Sequence, residues 1–279
     1  MVNIGRPNKL KVIKKVDAGV YLSGDAYGQI LLPRRYVPPD AEVGSELDVF
    51  VYWDSENRLA ATTETPLAMV GEFAWLKVLS IDNVGAFLDW GLAKDLLLPY
   101  SEHKYQPEVG KRVMVYLFLD DQTERIAATT RIEKFLSEEA TNFTEGQEVS
   151  LLITDNTELG YKAIVDNSHW GVLYSNELFE NLSKGQYLRG YIKKIRADKK
   201  IDLTLYQHGH EKIAELSEQI VRKLIEHDGV LMLTDKSPPE SIYSIFKVSK
   251  KAYKKAVGIL YKQRRIVIEP GCVRLVETD

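Results

Sequence analysis

Nine glycines with a repeated spacing constrain the fold of this chain more than any other feature. Gly5, Gly19 and Gly44 are separated by fourteen and then twenty-five residues. The same two intervals recur in two later sets, which are Gly71, Gly85 and Gly110, and Gly146, Gly160 and Gly185. Glycine is favoured where the backbone bends or takes a positive φ, so this spacing predicts the same chain path built three times. The period of 66 and then 75 residues suits a small domain better than a solenoid unit.

Short apolar runs separated by turn residues predict that each repeat is a small β barrel. Examples are Leu10 to Ile13, Leu47 to Trp53, Trp75 to Leu79 and Val113 to Leu119, with Gly, Pro, Asp and Asn between such runs. About five strands in some sixty residues favour an OB-type barrel, which has few free edges. The face formed by strands 2 and 3 of such a barrel commonly binds single-stranded nucleic acid.

The C-terminal segment has a helical pattern instead. The apolar residues Ile213, Leu216, Ile220, Leu224 and Ile225 recur at helical spacing and predict an amphipathic first helix. A second helix is expected after Ser237, and Ser249 is a candidate N-cap for a third, whose apolar stripe runs from Ala252 to Tyr261. Two strands flanking Pro270-Gly271 then complete the element order of a winged-helix domain.

Several motifs resemble an S1 RNA-binding domain. Gly85–Leu88 reads Gly-Ala-Phe-Leu, Leu97–Glu102 reads Leu-Leu-Pro-Tyr-Ser-Glu, and Val109–Val115 reads Val-Gly-Lys-Arg-Val-Met-Val. The third repeat has the related Gly171–Leu178, which reads Gly-Val-Leu-Tyr-Ser-Asn-Glu-Leu. Three S1-like units followed by a basic C-terminal domain are similar to the bacterial conserved virulence factor B family over nearly the whole chain. That resemblance implies a cytoplasmic RNA binder that influences gene expression.

The expected fold is therefore multidomain and mostly β: three tandem OB-fold (S1-like) five-stranded barrels followed by an α+β winged-helix domain. The expected boundaries are 1–65, 66–143, 144–210 and 211–279. One departure from the S1 pattern concerns strand 3, which usually carries Gly-Phe-x-His. Here Pro33, Pro99 and Tyr174 occupy the histidine position, and the phenylalanine position is aliphatic. This favours weak RNA binding, or a spacer role, for the first two repeats.

Charge is distributed unevenly along the chain. The net charge is −3, but basic residues concentrate toward the C-terminus, where no acidic residue occurs between Ser241 and Ile268. Phosphate contacts supply much of the affinity for nucleic acid, so this segment is a predicted anchor. Its basic residues are Lys247, Lys250, Lys251, Lys254, Lys255, Lys262, Arg264 and Arg265.

Candidate RNA-binding residues in the barrels combine rings with cations, because bases stack on aromatic side chains beside cations that contact phosphates. In the first two repeats they are Tyr21, Arg58, Phe87 and Arg125. In the third they are Tyr161, Lys162, Trp170, Tyr174, Lys193, Lys194, Arg196, Lys199 and Lys200. Two alternatives remain open at this point: Tyr21 and Phe87 could fill the barrel interiors, and the C-terminal lysines could be the solvated face of a helix.

The sequence carries none of the common catalytic signatures that we sought, such as a phosphate-binding Gly-x-x-x-x-Gly-Lys-Ser/Thr or a His-Glu-x-x-His pair. The close pair His208 and His210 has no third ligand in sequence and is interpreted as part of a linker. We therefore expect no enzyme, no cofactor and no metal. Cys272 is the single cysteine, and we interpret it as a small buried hydrophobe. No apolar run reaches the roughly 18 residues that span a bilayer, so a cytoplasmic protein without a membrane partner is expected.

Three functions are compatible with these features. The favoured one is an RNA-binding regulator that contacts single strands chiefly through the third repeat. The second is a transcription factor that reads duplex DNA with the third C-terminal helix, although this helix lacks the Arg, Asn and Gln that make bidentate base contacts. The third is an adaptor whose acidic first two repeats bind a protein of the ribosome or of the RNA-processing machinery.

Overall fold

A computed structural model describes residues 1–140, 142–178, 181–205 and 209–276, with side chains for all of these except 176 and 209–214. It contains three closed five-stranded barrels and a C-terminal three-stranded sheet with three helices. The chain forms two compact units, Met1–Leu136 and Ser137–Asp279. The first unit holds two barrels, and the second holds the third barrel and the helical domain.

Each barrel is built from five consecutive strands. The first contains β1 (Pro7–Val16), β2 (Gly19–Ser23), β3 (Gln29–Pro33), β4 (Glu46–Trp53) and β5 (Leu59–Thr62). The second contains β6 (Phe73–Ile81), β7 (Gly85–Asp89), β8 (Leu96–Pro99), β9 (Arg112–Leu119) and β10 (Ile126–Thr129). The third contains β11 (Glu148–Thr157), β12 (Gly160–Val165), β13 (His169–Tyr174), β14 (Tyr187–Ile195) and β15 (Ile201–Thr204). In all three, the first strand pairs with the second and fourth, and the third pairs in parallel with the fifth, as the OB-type expectation requires.

The middle glycine of each set begins the second strand of its barrel. Gly19, Gly85 and Gly160 have φ values of 147°, 156° and 144°, a region that L side chains rarely adopt. A Cβ at any of them would overlap the carbonyl oxygen of the facing third strand, which belongs to Leu32, Leu98 or Leu173. The glycine spacing is thus a requirement of the backbone, and the predicted threefold repeat is confirmed.

Strand alternation determines which side chains fill the barrels. In β2, Val20 and Leu22 are buried and Tyr21 between them is only half-buried. The third barrel follows the same rule in β13, where Gly171 and Leu173 are buried and Trp170, Val172 and Tyr174 are half-buried. Successive side chains on a strand point to opposite faces, so the half-buried set forms the outer surface. Each barrel therefore has its own apolar interior and one partly open face.

The first two barrels share apolar contacts. Phe50 of β4 and Trp90, which follows β7, belong to one buried cluster, and their rings meet edge to face at 5.7 Å. The backbone N–H of Val70 donates a 3.1 Å hydrogen bond to the carbonyl oxygen of Gly5. These two barrels therefore pack as one body.

The segment before the third barrel, residues 132–140, contains no α-helix. A short 3-10 turn covers Ile132–Phe135, and Ser137 then forms a parallel bridge with His169 at the start of β13. Residues from Ser137 onward thus hydrogen-bond to the third barrel, although we expected them in the second domain. The strands of each barrel lie within the expected boundaries, and the positions of the boundaries themselves stay a prediction.

The C-terminal domain has the expected order of elements. The helices are α1 (Gly209–Glu226), α2 (Pro239–Phe246) and α3 (Lys250–Lys262), and the sheet contains β16 (Val230–Leu231), β17 (Ile266–Glu269) and β18 (Cys272–Leu275). Ser249 caps α3 as predicted, because its Oγ accepts a 3.3 Å hydrogen bond from the backbone N–H of Ala252. Leu216, Ile220 and Leu224 of α1 pack in the core with Tyr253 of α3.

Two residues that were predicted on apolar helical stripes are exposed instead. Ile225 and Tyr261 are 62% and 55% exposed, because each lies at the solvent edge of its helix. The side chain of Ile213 lies outside the described side chains. Of the proposed linker pair, His208 lies outside the described residues, and for His210 the structure describes only the backbone, at the start of α1.

Candidate nucleic-acid interface

The repeats place equivalent residues on the outer faces of the three barrels. Two positions after the middle glycine, the second strand carries Tyr21, Phe87 or Lys162, and each is half-buried between buried neighbours. The third strand lies beside it, so that Tyr21 faces Leu31, Phe87 faces Leu97 and Lys162 faces Val172. Tyr21 and Phe87 therefore do not fill the interiors, and both rings remain on the face that we expected to bind.

Tyr161 is corrected from an interface residue to a core residue. Its side chain is 7% exposed and packs with Leu151, Ile153 and Leu173 inside the third barrel. The reason is strand alternation: Tyr161 occupies the inward position of β12, and its neighbour Lys162 occupies the outward one.

Trp170 and Lys162 lie together on the outer face of the third barrel. The Lys162 ammonium lies 3.7 Å from the centroid of the Trp170 ring, across the pair β12 and β13. This is within the range of a cation–π interaction, which holds a cation and an indole face together.

Tyr174 lies further along β13 on the same face. Its hydroxyl donates a 3.0 Å hydrogen bond to Asp202 Oδ1, and Lys193 Nζ lies 5.9 Å from its ring centroid. Burial and the Asp202 carboxylate raise the pKa of Tyr174, so the phenol stays neutral at physiological pH and keeps donating. The ring is thereby fixed in position on the strand.

A cavity of about 190 Å³ opens beside Trp170. Three cationic side chains, those of Lys162, Arg196 and Lys200, line it together with the indole ring. Val172 and Ile201 supply apolar wall, and Glu138 of the segment before the barrel completes the lining. Four of these residues were predicted from sequence as one site, and the structure brings them to one cavity: Lys162, Trp170, Arg196 and Lys200. Glu138 was not predicted, because it lies far from the others in sequence.

Several predicted cations of the third barrel are already paired. Lys193 forms an ion pair with Glu177, and Lys199 Nζ lies 2.7 Å from Glu139 Oε2. Arg196 Nε is 3.3 Å from Asp198 Oδ1 and 3.7 Å from Asp202 Oδ1. By contrast, Lys162, Lys194 and Lys200 form no ion pair within the part of the chain that the structure describes. These three are the cations that remain available to a phosphate.

The predicted cations of the first two barrels, Arg58 and Arg125, have different surroundings. Arg58 Nη2 lies 3.0 Å from Asp54 Oδ2, and its Nη1 lies 2.7 Å from Glu56 Oε2. The Asp54 carboxylate raises the pKa of the Arg58 guanidinium. Burial alone would raise the pKa of Asp54, but hydrogen bonds from the Arg58 and Glu56 backbone N–H groups and from the Arg58 side chain lower it on balance. Arg125 is half-buried beside β10. The charge of Arg58 is thus compensated locally.

The predicted basic surface of the C-terminal domain lies mainly on one helix. Lys251, Lys254, Lys255 and Lys262 are exposed on α3. Lys254 Nζ is 3.8 Å from Asp235 Oδ2, whereas Lys251 and Lys255 form no ion pair among the described residues.

The remaining basic residues of that surface lie around α3. Lys250 Nζ donates a 3.2 Å hydrogen bond to the carbonyl oxygen of Lys236, and Lys247 Nζ lies 5.4 Å from the Tyr243 ring centroid. Arg264 is exposed, but Arg265 pairs with Glu218 through both terminal nitrogens. The charge of Arg265 is therefore compensated by Glu218, and its place on the basic surface stays a prediction.

Neither a metal cluster nor a membrane helix emerges from the described residues. No group of three or more His, Cys, Asp or Glu side chains among them is placed to hold a metal ion. No helix in the described part of the chain combines the length and apolar character that a bilayer crossing requires.

Family models agree with this architecture. The S1 domain model matches residues 4–64 and 70–131, and the model of the CvfB-like winged helix domain matches residues 218–275. The third barrel has the same strand order as the two that the S1 model matches. The fold and the matched domain families thus define a nucleic-acid-binding protein with tandem S1 domains and a winged-helix domain.

Several curated proteins are similar to this chain over most of its length. Uncharacterized protein YitL of Bacillus subtilis is 27% identical over 277 residues, covering 96% of this chain and 92% of its own. Conserved virulence factor B of Staphylococcus saprophyticus is 28% identical over 253 residues, covering 85% of this chain and 82% of its own. A crystal structure of a multidomain protein with nucleic acid binding domains from Streptococcus pneumoniae covers 98% of both chains at 22% identity, with a TM-score of 0.43. Over most of its length the chain is therefore similar to proteins named Conserved virulence factor B, and it contains S1 domains and a CvfB-like winged helix domain.

Proposed function

We propose that this protein binds single-stranded RNA and regulates gene expression after transcription, without catalysing a reaction. The third barrel is the main contact, and the exposed lysines of α3 add phosphate contacts. One observation carries the proposal: Lys162, Trp170, Arg196 and Lys200 line a single cavity on the outer face of the third barrel. An aromatic ring beside several cations is the arrangement with which OB-type barrels bind single strands.

A duplex fits this cavity less well than a single strand. Bases of a duplex are stacked on each other, so their faces are not free to stack on Trp170, whereas those of a single strand are. The Lys162 side chain is long and flexible, so it can leave the indole face to a base and move to the neighbouring phosphate. Binding should therefore combine stacking on Trp170 with contacts from Lys162 and Lys200.

The test is a binding titration of the whole protein with a labelled 12-nucleotide RNA of mixed sequence. Trp170→Ala removes the stacking ring and should weaken binding about 5- to 150-fold, since one stacked base contributes about 1–3 kcal/mol. Lys200→Glu should also weaken it. The matched control is Arg189→Glu, the same charge change at a residue of β14 that is exposed and does not line the cavity.

Competition with single-stranded DNA and duplex DNA completes the experiment. Unlabelled single strands should displace the probe at lower concentration than duplex DNA. Wild-type affinity in both Trp170→Ala and Lys200→Glu, or a preference for the duplex, would contradict the proposal. A preference for duplex DNA would instead favour a function in which the winged helix binds duplex DNA.

The first two barrels support a second, compatible role as an adaptor for a protein of the ribosome or of the RNA-processing machinery. The observation behind it is that Asp54 and Glu56 compensate the positive charge of Arg58 in the first barrel. Deleting residues 1–136, which form a compact unit, should leave RNA affinity largely intact if this unit serves a protein partner. A loss of most of the affinity would instead assign RNA binding to these barrels.

A further inference from the structure

The segment Ser137–Ala140 contributes Glu138 to the lining of the cavity in the third barrel, and its backbone is held at both ends. The Ser137 N–H donates a 2.9 Å hydrogen bond to the Ser168 carbonyl oxygen, and the Ser137 carbonyl oxygen accepts a 3.0 Å bond from the Trp170 N–H. At the other end, the Ala140 N–H donates a 2.8 Å bond to the Lys199 carbonyl oxygen. Glu138 lies between these anchors and lines the same cavity as Trp170.

The two carboxylates of this segment are used differently. Glu139 forms an ion pair with Lys199 at 2.7 Å. Glu138 is exposed and makes no ion pair or hydrogen bond among the described residues, although Lys162, Arg196 and Lys200 line the same cavity. If the Glu138 carboxylate occupied the place of an RNA phosphate, it would form ion pairs with those cations. The Glu138 carboxylate is instead a free acceptor at the place where a base would stack.

The chemistry of the bases decides which of them such an acceptor would select. A carboxylate has two oxygens and accepts two parallel hydrogen bonds, as it does from arginine. On its Watson–Crick edge, guanine presents two adjacent donors, the ring N1–H and the exocyclic N2 amine. Adenine and cytosine present one amine beside a ring nitrogen acceptor, and uracil presents one N–H between two carbonyl oxygens. Proteins read exposed bases of single strands on these edges.

We propose that Glu138 makes the third barrel selective for guanine in a single strand, with the base stacked on Trp170 and its Watson–Crick edge against the carboxylate. This inference rests on the proposed RNA binding and adds the identity of the base. Glu138 and Trp170 line the same cavity of about 190 Å³, so one base can meet both side chains. Lys162 and Lys200 then contact the flanking phosphates, which carry no sequence information.

The experiment uses the whole protein and three labelled 12-nucleotide RNAs: uridine only, the same strand with one central guanosine, and the same strand with inosine at that position. Inosine keeps the N1–H and lacks the N2 amine. The wild type should bind the guanosine strand about tenfold more tightly than the uridine strand, which is the discrimination of one good bidentate contact. Inosine should lose most of that preference.

Glu138→Gln should bring the ratio of the two affinities close to one. Glu139→Gln is the matched control, because it removes the neighbouring carboxylate, whose partner is Lys199, and should leave the ratio unchanged. Equal wild-type affinity for all three strands would overturn the guanine inference and leave RNA binding intact. The guanine inference also falls if Glu138→Gln strengthens binding to every strand alike, since the carboxylate would then only repel phosphates. Failure of the wild type to bind any strand would refute the proposed function instead.

Discussion

The ammonium of Lys94 in the second barrel donates a 2.7 Å hydrogen bond to the carbonyl oxygen of Trp53 in the first. It donates a second bond of 3.0 Å to the carbonyl oxygen of Asp54, at the turn between β4 and β5. Burial lowers the pKa of Lys94, as expected for an ammonium removed from water. Together with the contact between Phe50 and Trp90, these bonds hold the two barrels as a single body.

Replacing Lys94 by Met should loosen this junction. The substitution keeps most of the apolar stem but leaves two carbonyl oxygens without their charged donor, so the free energy of unfolding should fall by about 1–3 kcal/mol. Urea denaturation measures the loss, and hydrogen exchange should localise it to the β4–β5 turn. Lys111→Met, at an exposed lysine of the same barrel, is the control and should change stability little. An unchanged exchange pattern in Lys94→Met would show that the apolar contacts alone hold the barrels together.

Two glycine-to-alanine substitutions should change the stability of the protein in opposite directions. Gly85 has a φ of 156° and no room for a Cβ beside the Leu98 carbonyl oxygen, so Gly85→Ala should destabilise the second barrel by about 2 kcal/mol or more. Gly258 lies inside α3 with open space where a Cβ would be, so Gly258→Ala should stabilise by about 0.5–1 kcal/mol. Thermal unfolding of both variants tests the pair. A neutral Gly85→Ala would mean that the repeated glycine spacing is not needed for the barrels.

These glycines also show why so much of the fold could be predicted from sequence. A positive φ is a local requirement, and its recurrence at fixed spacing identified the three barrels without any knowledge of long-range contacts. The Ser249 cap was predictable for the same reason, because capping depends on residues within one turn.

The candidate site was less predictable because it depends on register and on distant contacts. Tyr161 and Lys162 are adjacent, and a shift of one residue exchanges the inner and outer faces of a strand. The pairing of β11 with β12 shifts between Ile153 and Asp155, so counting alternate residues from the start of the repeat does not give the face. Glu138 reaches the cavity only through its segment's hydrogen bonds to residues 168, 170 and 199, which no short sequence pattern reveals.

Cys272 should react slowly with thiol reagents in the folded protein. Burial first, and then the neighbouring Glu269 carboxylate, raise the pKa of the Cys272 thiol, so near pH 8 it holds less of the reactive thiolate than an ordinary exposed thiol. The rate of modification by an aromatic disulfide should rise steeply in denaturant and, in the folded state, should increase with pH across the alkaline range. Glu269→Gln removes the nearby negative charge and should speed the native reaction at fixed pH. Equal rates of Cys272 modification in the folded and the denatured protein would show that the fold does not protect this thiol.

The lysines of α3 should contribute affinity without sequence preference. Lys251 and Lys255 are exposed and form no ion pair among the described residues, whereas Lys254 is already close to Asp235. Lys255→Glu should therefore weaken binding to RNA of any sequence to the same degree, because phosphates carry no base information. It should also reduce the slope of log affinity against log salt by about 1. Lys223→Glu on α1 makes the same charge change at a lysine that pairs with Glu226, and it should leave the slope nearly unchanged. If Lys255→Glu altered the preference for one base while preserving the salt slope, α3 would contact bases directly, and its role would differ from the phosphate anchor assigned to it.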